Sequence, residues 1–185
     1  MRATRLPNDA KAGPTKPEVR AVLERKLALG PDDHFVEVGS CTGAVTIEAA
    51  RRAGRVTALE RKPERVDTTR ANLDANEYDA AVELVNAEAP EGLPEDGDVL
   101  FLGGSRNYEA ILDAALEAAY DRIVMNVSRL EVAGEAARAF RDRGVLDEVL
   151  CLQVANGYDL AGATSFNANN PVYMLVAEPG GEGEL

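Results

Sequence analysis

The sequence predicts an α/β protein with one three-layer, doubly wound sheet of about seven strands, mostly parallel with an antiparallel final strand. Apolar, strand-like segments alternate with segments of helical periodicity from residue 34 to residue 143. Such alternation is typical of a parallel sheet covered by helices on both faces. The last two strand-like segments, 146–154 and 171–177, have no helical segment between them. Antiparallel pairing is therefore expected at the end of the sheet.

Each element has a local signal in the sequence. A first helix is expected to begin at Thr15, because Thr15 and Glu18 form a capping-box pair with Pro17 in the first turn. It is expected to end before Gly30 and Pro31. The other predicted strands are 34–38, 55–60, 82–85, 98–102 and 122–127, and the other predicted helices are 43–53, 63–76, 107–119 and 129–143.

The ends of the chain and one internal segment lack regular patterning. Residues 155–170 are polar and predict a long loop between the last two strands. Residues 1–12 predict a flexible N-terminus, and residues 179–185 predict a flexible acidic tail. A single domain is thus expected at 13–178.

The charge of the chain excludes some classes of partner. The 185 residues carry a net charge of −12, with the acids dispersed along the chain. The lysines are Lys11, Lys16, Lys26 and Lys62, a small part of the 20 cationic residues. Since nucleic-acid binding needs clustered Lys and Arg on phosphates, no nucleic-acid partner is expected. Dispersed acid with scarce lysine favours a protein of a salt-loving archaeon, and an ordinary acidic bacterial protein is the alternative.

Composition also bears on location and on metals. No apolar run is long enough to cross a bilayer, and residues 1–12 contain no hydrophobic segment, so a cytoplasmic protein with no membrane contact is expected. Cys41 and Cys151 are too few for a disulfide framework and are expected to be small packing residues. The single histidine, His34, begins the first strand and is expected to be structural. No metal site is predicted, and no catalytic residue is assigned.

A cofactor site is predicted where the first strand meets the next helix. The turn between them consists of small residues, namely Gly39, Ser40, Cys41, Thr42 and Gly43. Such a turn lets backbone approach a ligand, and the start of the helix offers free N–H groups. Glu60 ends the second strand, where a carboxylate can accept both hydroxyls of a ribose. The pattern favours a nucleoside-bearing cofactor, and an ordinary turn with a solvated glutamate is the alternative.

The spacing of the glycines indicates which cofactor binds. A dinucleotide motif has glycines at relative positions one, three and six, whereas here they fall at one and five and Ala44 holds position six. The acidic-x-Gly-x-Gly-x-Gly pattern of S-adenosylmethionine-dependent methyltransferases fits better. Glu37, Gly39 and Gly43 match it, and Cys41 stands where the middle glycine is usual. The expected sheet is then the Rossmann-like sheet of these enzymes.

The ends of the third and fourth strands complete the predicted cleft, because ligands of open α/β sheets bind at the carboxyl ends of the strands. Glu88 and Ala89 follow the third strand and are expected beside the cofactor, with an ordinary helix start before Pro90 as the alternative for Glu88. The turn expected to meet the methyl acceptor consists of Gly103, Gly104, Ser105 and Arg106. Arg106 is a candidate partner for a substrate carboxylate, and a surface arginine is the alternative.

Several of these motifs occur in the order seen in one family. They are Gly13-Pro14-Thr15, Glu18-Val19-Arg20, the 39–43 turn, Leu59-Glu60-Arg61 with Pro63-Glu64, Glu88-Ala89-Pro90-Glu91, Gly103-Gly104-Ser105 and Asn170-Pro171-Val172. Over residues 13–177 the chain resembles the decarboxylating precorrin methyltransferases of cobalamin biosynthesis. It departs from them at Cys41, where glycine is usual, and at Glu60 and Glu88, where aspartate is usual.

The resemblance implies a class I methyltransferase that methylates carbon 15 of a cobalt-precorrin and removes carbon dioxide from the ring-C acetate, in the anaerobic branch of cobalamin biosynthesis. It implies S-adenosylmethionine as cofactor, held at Thr15, the 39–43 turn, Glu60 and Ala89. It also implies a tetrapyrrole as partner and a homotetramer. A methyltransferase for another small molecule, a protein or a tRNA is one alternative, and a non-catalytic binding protein of the same fold is another.

An acidic enzyme with a polycarboxylate substrate suggests a dependence on salt. Stability and substrate affinity are expected to rise together as salt screens the repulsion. A local arginine cluster would reverse the trend in affinity, and the candidates for it are Arg20, Arg61, Arg106 and Arg129.

Overall fold

The computed structural model describes residues 3–10 and 13–180. The elements in chain order are α1 (Pro17–Leu27), β1 (His34–Val38), α2 (Ala44–Ala49), β2 (Arg55–Leu59), α3 (Pro63–Asp74), β3 (Ala81–Val85), β4 (Val99–Leu102), α4 (Tyr108–Glu117), β5 (Arg122–Val127), α5 (Leu130–Asp142), β6 (Leu146–Leu152), β7 (Ala155–Leu160), β8 (Ala163–Ala168) and β9 (Val172–Ala177).

The main sheet confirms the predicted fold class. Its seven strands lie in the order β3-β2-β1-β4-β5-β9-β6. The first five are parallel, and β9 runs antiparallel to both β5 and β6. One face packs against α1 and α2 and the other against α4 and α5. Because both faces are covered, the central strand β4 is apolar and buried at each of its residues.

Helix α1 begins two residues later than predicted. Lys16 holds the N-cap position in an extended conformation and makes no capping bond with its side chain. The residue before a proline is pushed out of the helical region, and Pro17 therefore sets the start of the helix. Thr15 does not cap it, and its carbonyl accepts a hydrogen bond from the guanidinium of Arg20. The capping-box prediction is wrong, and Thr15 lies at the edge of the cleft described below.

The long loop predicted at 155–170 is instead a β-hairpin. Strands β7 and β8 pair antiparallel and form a separate two-stranded sheet. Ala161 and Gly162 make the turn with φ of 54° and 81°, the pair of positive values that matches the twist of a tight hairpin. All of β7 is exposed. Because the strand has no buried face, the sequence shows no alternation of apolar and polar residues there. Hydrophobic periodicity therefore does not predict the hairpin.

The N-terminal segment lies on the domain without forming a helix or a strand. The backbone N–H of Asn8 donates to Asn72 Oδ1 at 2.9 Å, and that of Arg5 donates to Asn76 Oδ1 at 3.0 Å. The predicted flexible ends fall partly outside the described residues, at 1–2, 11–12 and 181–185, and their flexibility stays a prediction. In the described part of the chain, no helix has the length and apolarity needed to cross a bilayer.

His34 and Cys151 lie away from the carboxyl ends of the parallel strands. His34 is buried at the start of β1, where Nε2 is 2.8 Å from Thr57 Oγ1 and Nδ1 is 3.0 Å from the carbonyl of Asp96. Its contacts match the structural role predicted for it. Cys151 is exposed on β6, so its prediction as a packing residue is wrong. Since β6 is the outermost strand, its alternate residues are not covered by a helix.

Candidate active site

A cleft of about 800 Å³ opens at the carboxyl ends of the parallel strands. It brings together residues that are far apart in the sequence. The predicted residues in its lining are Thr15, Gly39, Ser40, Cys41, Thr42, Glu60, Glu88, Ala89, Gly103, Gly104, Ser105 and Arg106. Gly43 is the exception. A Cβ there would lie 3.0 Å from Thr69 Cγ2, so Gly43 serves the close approach of α3 rather than ligand contact.

The turn after β1 needs left-handed backbone at alternate positions. Gly39, Cys41 and Gly43 have φ of 91°, 55° and 74°. Glycine adopts these angles freely, whereas Cys41 carries a Cβ in a region that side chains disfavour. Cys41 is half-buried, and burial raises the pKa of its thiol above the ordinary value. The thiol therefore stays neutral and acts as a small side chain in the wall of the cleft.

Two polar residues of α3 hold this turn from below, and sequence reasoning missed both. Thr69 Oγ1 lies 3.1 Å from Ser40 Oγ and 3.2 Å from the carbonyl of Cys41. Asn72 Nδ2 donates to the carbonyl of Thr42 at 2.8 Å. Thr69 and Asn72 are fully buried. A signal was present, because they occupy positions on the apolar face of α3 where a helix normally carries aliphatic residues.

Glu60 is buried at the end of β2 and already oriented. Its Oε2 accepts from the backbone N–H of Cys41 at 3.3 Å, and its Oε1 accepts from that of Lys62 at 3.0 Å. These bonds fix the carboxylate between the 39–43 turn and the start of α3. A carboxylate has further lone pairs, so both oxygens can still accept from a ligand.

Glu37 lies below the turn and is almost completely buried. The hydroxyl of Thr46 donates to it. Burial raises the pKa of Glu37 to about 7, with the nearby Glu60 adding to the rise and the Thr46 hydrogen bond opposing it. The floor of the cleft therefore holds two carboxyl groups, one of which carries a proton in mildly acidic solution.

Glu37→Gln should stabilise the protein at alkaline pH. In the unfolded chain Glu37 ionises near its ordinary value of 4.5, whereas in the folded chain it ionises near 7. The folded state thus binds the extra proton, and stability falls as pH rises from 4.5 to 7. The penalty is complete above 7 and is on the order of 3 kcal/mol. Gln keeps the acceptor for Thr46 and cannot ionise.

Thermal melts of the wild type and Glu37→Gln at pH 5 and pH 8 test this expectation. The variant should melt higher at pH 8, and the difference should shrink towards pH 5. Exposed Glu64 supplies the control Glu64→Gln, which should show no such trend. Equal wild-type and Glu37→Gln melting points at pH 8 would show that Glu37 ionises normally.

The turn after β4 contains two glycines with different roles. A Cβ on Gly103 would lie 3.2 Å from the carbonyl oxygen of Gly39, so Gly103 lets the turns after β1 and β4 pack together. A Cβ on Gly104 would meet nothing within 4 Å. The sequence predicts that both lie in the turn that meets the methyl acceptor, and only Gly104 leaves open space for a ligand directly.

Glu88 and Arg106 pair across the mouth of the cleft. Arg106 Nε donates to Glu88 Oε1, and this guanidinium holds the pKa of Glu88 below its usual range. Asn107 Nδ2 donates to the carbonyl of Ala89 at 3.2 Å. The alternative that Glu88 starts a helix is wrong, because the chain forms turns after Ala89 and the next helix begins at Tyr108. The pair joins the predicted cofactor side to the predicted acceptor side.

The cleft is rich in cations although the chain is acidic. The basic side chains in its lining are Lys16, Arg61, Arg65, Arg106 and Arg129, and the acidic ones are Glu37, Glu60 and Glu88. Arg20 is buried in an ion pair with Glu48 at 2.8 Å and belongs to the scaffold. No group of three His, Cys, Asp or Glu suited to a metal ion occurs among residues 3–10 and 13–180.

Comparison with known proteins identifies the family. A family profile described as precorrin methyltransferase domain matches residues 9–178. The chain belongs to the precorrin methyltransferase family. A relative from Halobacterium salinarum is 70% identical over 184 residues, and the alignment covers 100% of this chain and 98% of the relative. A relative from Methanosarcina acetivorans is 38% identical, and the alignment covers 90% of this chain and 94% of the relative. Both are named probable cobalt-precorrin-6B C(15)-methyltransferase (decarboxylating).

Solved structures agree with this precorrin methyltransferase in fold. The precorrin 8W decarboxylase of Methanobacterium thermoautotrophicum superposes with a TM-score of 0.85 at 33% identity, covering 92% of this chain and 95% of that one. The precorrin-6y C5,15-methyltransferase of Geobacter metallireducens superposes with a TM-score of 0.83 at 37% identity. The superposition covers 92% of this chain and 94% of that one. The family is S-adenosylmethionine-dependent, and S-adenosylmethionine is the methyl donor.

Proposed function

We propose that this precorrin methyltransferase methylates carbon 15 of a cobalt-precorrin and removes carbon dioxide from the ring-C acetate, in the anaerobic branch of cobalamin biosynthesis. The observation that carries the proposal is the 70% identity, over the whole chain, to the Halobacterium relative of that name. The cleft supports it, since about 800 Å³ is enough for the cofactor and part of a flat macrocycle.

The cofactor is proposed to lie across β1, β2 and β3. Glu60 would accept the two ribose hydroxyls, and the backbone of the 39–43 turn would face the cofactor chain. Ala89 and Ile111 belong to the same buried apolar cluster and both line the cleft, which gives an apolar surface for an adenine ring. Glu88 would stand at the edge of the ring, where its pairing with Arg106 leaves it ionised. Thr15 would close the opposite end of the cleft.

The reaction asks for position more than for acid or base groups. The cofactor supplies a methyl group already activated on a sulfonium. The 39–43 turn and the Gly103-Gly104-Ser105 turn lie side by side, so ligands on the two would meet at the carboxyl end of β4. Loss of carbon dioxide needs a pocket that does not over-stabilise the departing carboxylate. We place the macrocycle over Gly104 because the space around this residue is open.

The cations of the cleft change the expected salt dependence of substrate binding. Lys16, Arg61, Arg65, Arg106 and Arg129 would attract a polycarboxylate despite the net charge of −12. The structure thus favours capture by a local cluster over the general repulsion that the net charge predicts, and we expect the affinity for substrate to fall with salt.

Stability should respond to salt in the opposite direction. At 1 M salt the Debye length is about 3 Å, so repulsion among the dispersed acids is mostly screened. We expect the melting temperature and the Michaelis constant both to rise between roughly 0.1 and 2 M KCl. A melting temperature that does not rise would contradict the proposed halophilic origin. A Michaelis constant that falls with salt would contradict capture by the cluster. In Arg129→Gln, the Michaelis constant should rise less steeply with salt than in the wild type.

A homo-oligomer, and by resemblance a tetramer, is proposed from the hairpin. Tyr158, Leu160 and Phe166 are 47%, 57% and 68% exposed on β7 and β8. Tyr158 and Leu160 lie on one face of this hairpin, and Phe166, which pairs with Gly157, lies on the other. A two-stranded sheet is marginal alone in water, and exposed apolar side chains on both of its faces favour a covering partner. A second copy of the chain would stabilise the two-stranded sheet and would cover these side chains. The molar mass measured by light scattering should be about four times the chain mass of 19.7 kDa. A monomer mass in that measurement would contradict the assembly.

Location is proposed on chemical grounds. Cys41 and Cys151 are free thiols, and Cys151 is exposed. An exposed thiol suits a reducing compartment, so we place the enzyme in the cytoplasm.

Mass spectrometry after mixing the protein with S-adenosylmethionine and a cobalt-precorrin pool tests the proposed reaction. The product should gain one methyl group and lose one carbon dioxide. Methylation of an added tRNA or protein in place of the precorrin would support the other acceptors. Calorimetry with S-adenosylhomocysteine separates both from a non-catalytic protein whose site has decayed at Cys41, which should show no binding.

A further inference from the structure

Two asparagines in the cleft have polar atoms that find no partner within the protein. In the described part of the chain, the buried side-chain N and O atoms without a hydrogen bond are Asn126 Nδ2, Asn126 Oδ1 and Asn169 Nδ2. Asn126 and Asn169 both line the cleft. A buried polar atom left unpaired costs roughly 1–3 kcal/mol, so folded proteins keep few of them. Their concentration in one cleft points to a ligand that completes them.

Asn126 lies beside the place where the two reactants would meet. Leu102 at the end of β4 pairs with Met125 of β5, so Asn126 stands next to Gly103. Val124 packs in the core cluster on the α1 side of the sheet, and Asn126, two residues further along the strand, points to that same side. A small rotation about the terminal bond of Asn126 would turn its amide towards a ligand.

Asn169 comes to the same cleft from the base of the hairpin. Its backbone N–H donates to the carbonyl of Val154 at 2.8 Å, and its carbonyl accepts from Gln153 Nε2 at 2.6 Å. Its Oδ1 accepts from Lys16 Nζ at 2.8 Å. With the oxygen occupied in this way, Nδ2 is left as a donor, and the ammonium of Lys16 is held beside it.

The donors and acceptors define the chemistry of a ligand that would pair with them. Two amide N–H₂ groups and one ammonium group are donors, which a carboxylate satisfies. The remaining Oδ1 of Asn126 requires a donor close to that carboxylate. An α-amino acid offers both in its carboxylate and ammonium groups, and a protonated carboxyl group offers both in its C=O and O–H. We propose that Asn126, Asn169 and Lys16 form a carboxylate-binding subsite on the α1 side of the cleft.

The reaction offers two sources of such a group, and this step rests on the function proposed above. One is the amino-acid end of the methyl donor, and the other is a carboxyl side chain of the acceptor. 5′-Methylthioadenosine has the nucleoside of S-adenosylhomocysteine without its amino-acid end. Comparing the two ligands therefore separates the sources by binding alone, with no turnover.

The test is calorimetry of wild-type protein, Asn126→Leu and Asn169→Leu with both nucleosides. If the subsite holds the amino-acid end, each variant should lose on the order of tenfold in affinity for S-adenosylhomocysteine. Both should bind 5′-methylthioadenosine as the wild type does. If it holds the acceptor, both nucleoside affinities stay unchanged and the Michaelis constant for a cobalt-precorrin pool rises by a similar factor. Asp74→Leu, at the exposed end of α3 and outside both the cleft and the hairpin, is the control.

Stability distinguishes a ligand-binding residue from a structural one. Leu fills the volume of Asn126 and removes two unpaired polar atoms, so Asn126→Leu without ligand should melt about 2–4 °C higher. Asn126→Asp keeps the shape but opposes a carboxylate, and it should weaken the same ligand further. Unchanged affinity for both reactants, or a lower melting temperature with loss of both nucleosides, would overturn the subsite. A wild type that binds neither nucleoside would overturn the subsite and the cofactor site together.

Discussion

Glu60→Ala is expected to lower the affinity for S-adenosylhomocysteine at least tenfold. Two charge-assisted hydrogen bonds to the ribose would be lost, each worth roughly 1.5–3 kcal/mol. The structure adds a second loss. Glu60 also accepts from the N–H groups of Cys41 and Lys62, so its removal frees the 39–43 turn and unpairs two backbone donors.

Three measurements separate these contributions. Isothermal titration of Glu60→Ala gives the total, and Glu60→Gln, which keeps an acceptor of the same shape, should lose less. Glu64→Ala removes an exposed carboxylate at the start of α3 and should bind normally. Wild-type affinity in Glu60→Ala would place the cofactor elsewhere in the cleft.

Gly104→Val should reduce turnover of the precorrin by roughly two orders of magnitude or more, because its side chain would occupy the space assigned to the macrocycle. A Cβ at Gly104 meets nothing within 4 Å, and its backbone does not need a positive φ, so the protein should fold. Binding of S-adenosylhomocysteine should stay within a few-fold of the wild type, since the turn after β1 is not displaced.

Gly134→Val is the matched control for this prediction. Gly134 lies on the exposed side of α5, where a Cβ also meets nothing within 4 Å, and it is outside the cleft. Turnover should be unaffected there. Gly103→Ala offers the contrast, because its Cβ would press on the carbonyl of Gly39 and should impair cofactor binding and turnover together. If Gly104→Val also loses the cofactor, the turn is structural and the acceptor assignment fails.

Local pattern was sufficient for the main sheet and for placing the 39–43 turn at the cleft. Strand β5 begins and ends at its predicted residues, and the other parallel strands differ by one residue at most. The turn after β1 is recognisable because its small residues are consecutive and directly follow an apolar strand. Gly43 lies in this turn but faces α3, since a spacing alone does not tell ligand contact from helix packing.

Where local pattern failed, the decisive interaction was either hidden or distant. The hairpin of β7 and β8 has no buried face, so the alternation that marks a strand is absent from it. The spacing of Thr15 and Glu18 predicts a cap, yet Pro17 controls the backbone before it and sets the start of the helix. Glu88 could be assigned a partner only when the structure brought Arg106 to it, across 18 residues of chain.

The sequence by itself determined the fold class, the family and the methyl donor, and it predicted twelve of the residues that line the cleft, because these depend on periodicity and on motifs within a few residues. Only the tertiary structure decided how those motifs act on one another. The cations Lys16, Arg61, Arg65, Arg106 and Arg129 become a cluster in an acidic protein because strand order brings separate loops to one edge of the sheet. Asn126 and Asn169 become a candidate subsite because packing leaves their amides without partners, and no local pattern encodes which polar atoms a fold leaves unpaired.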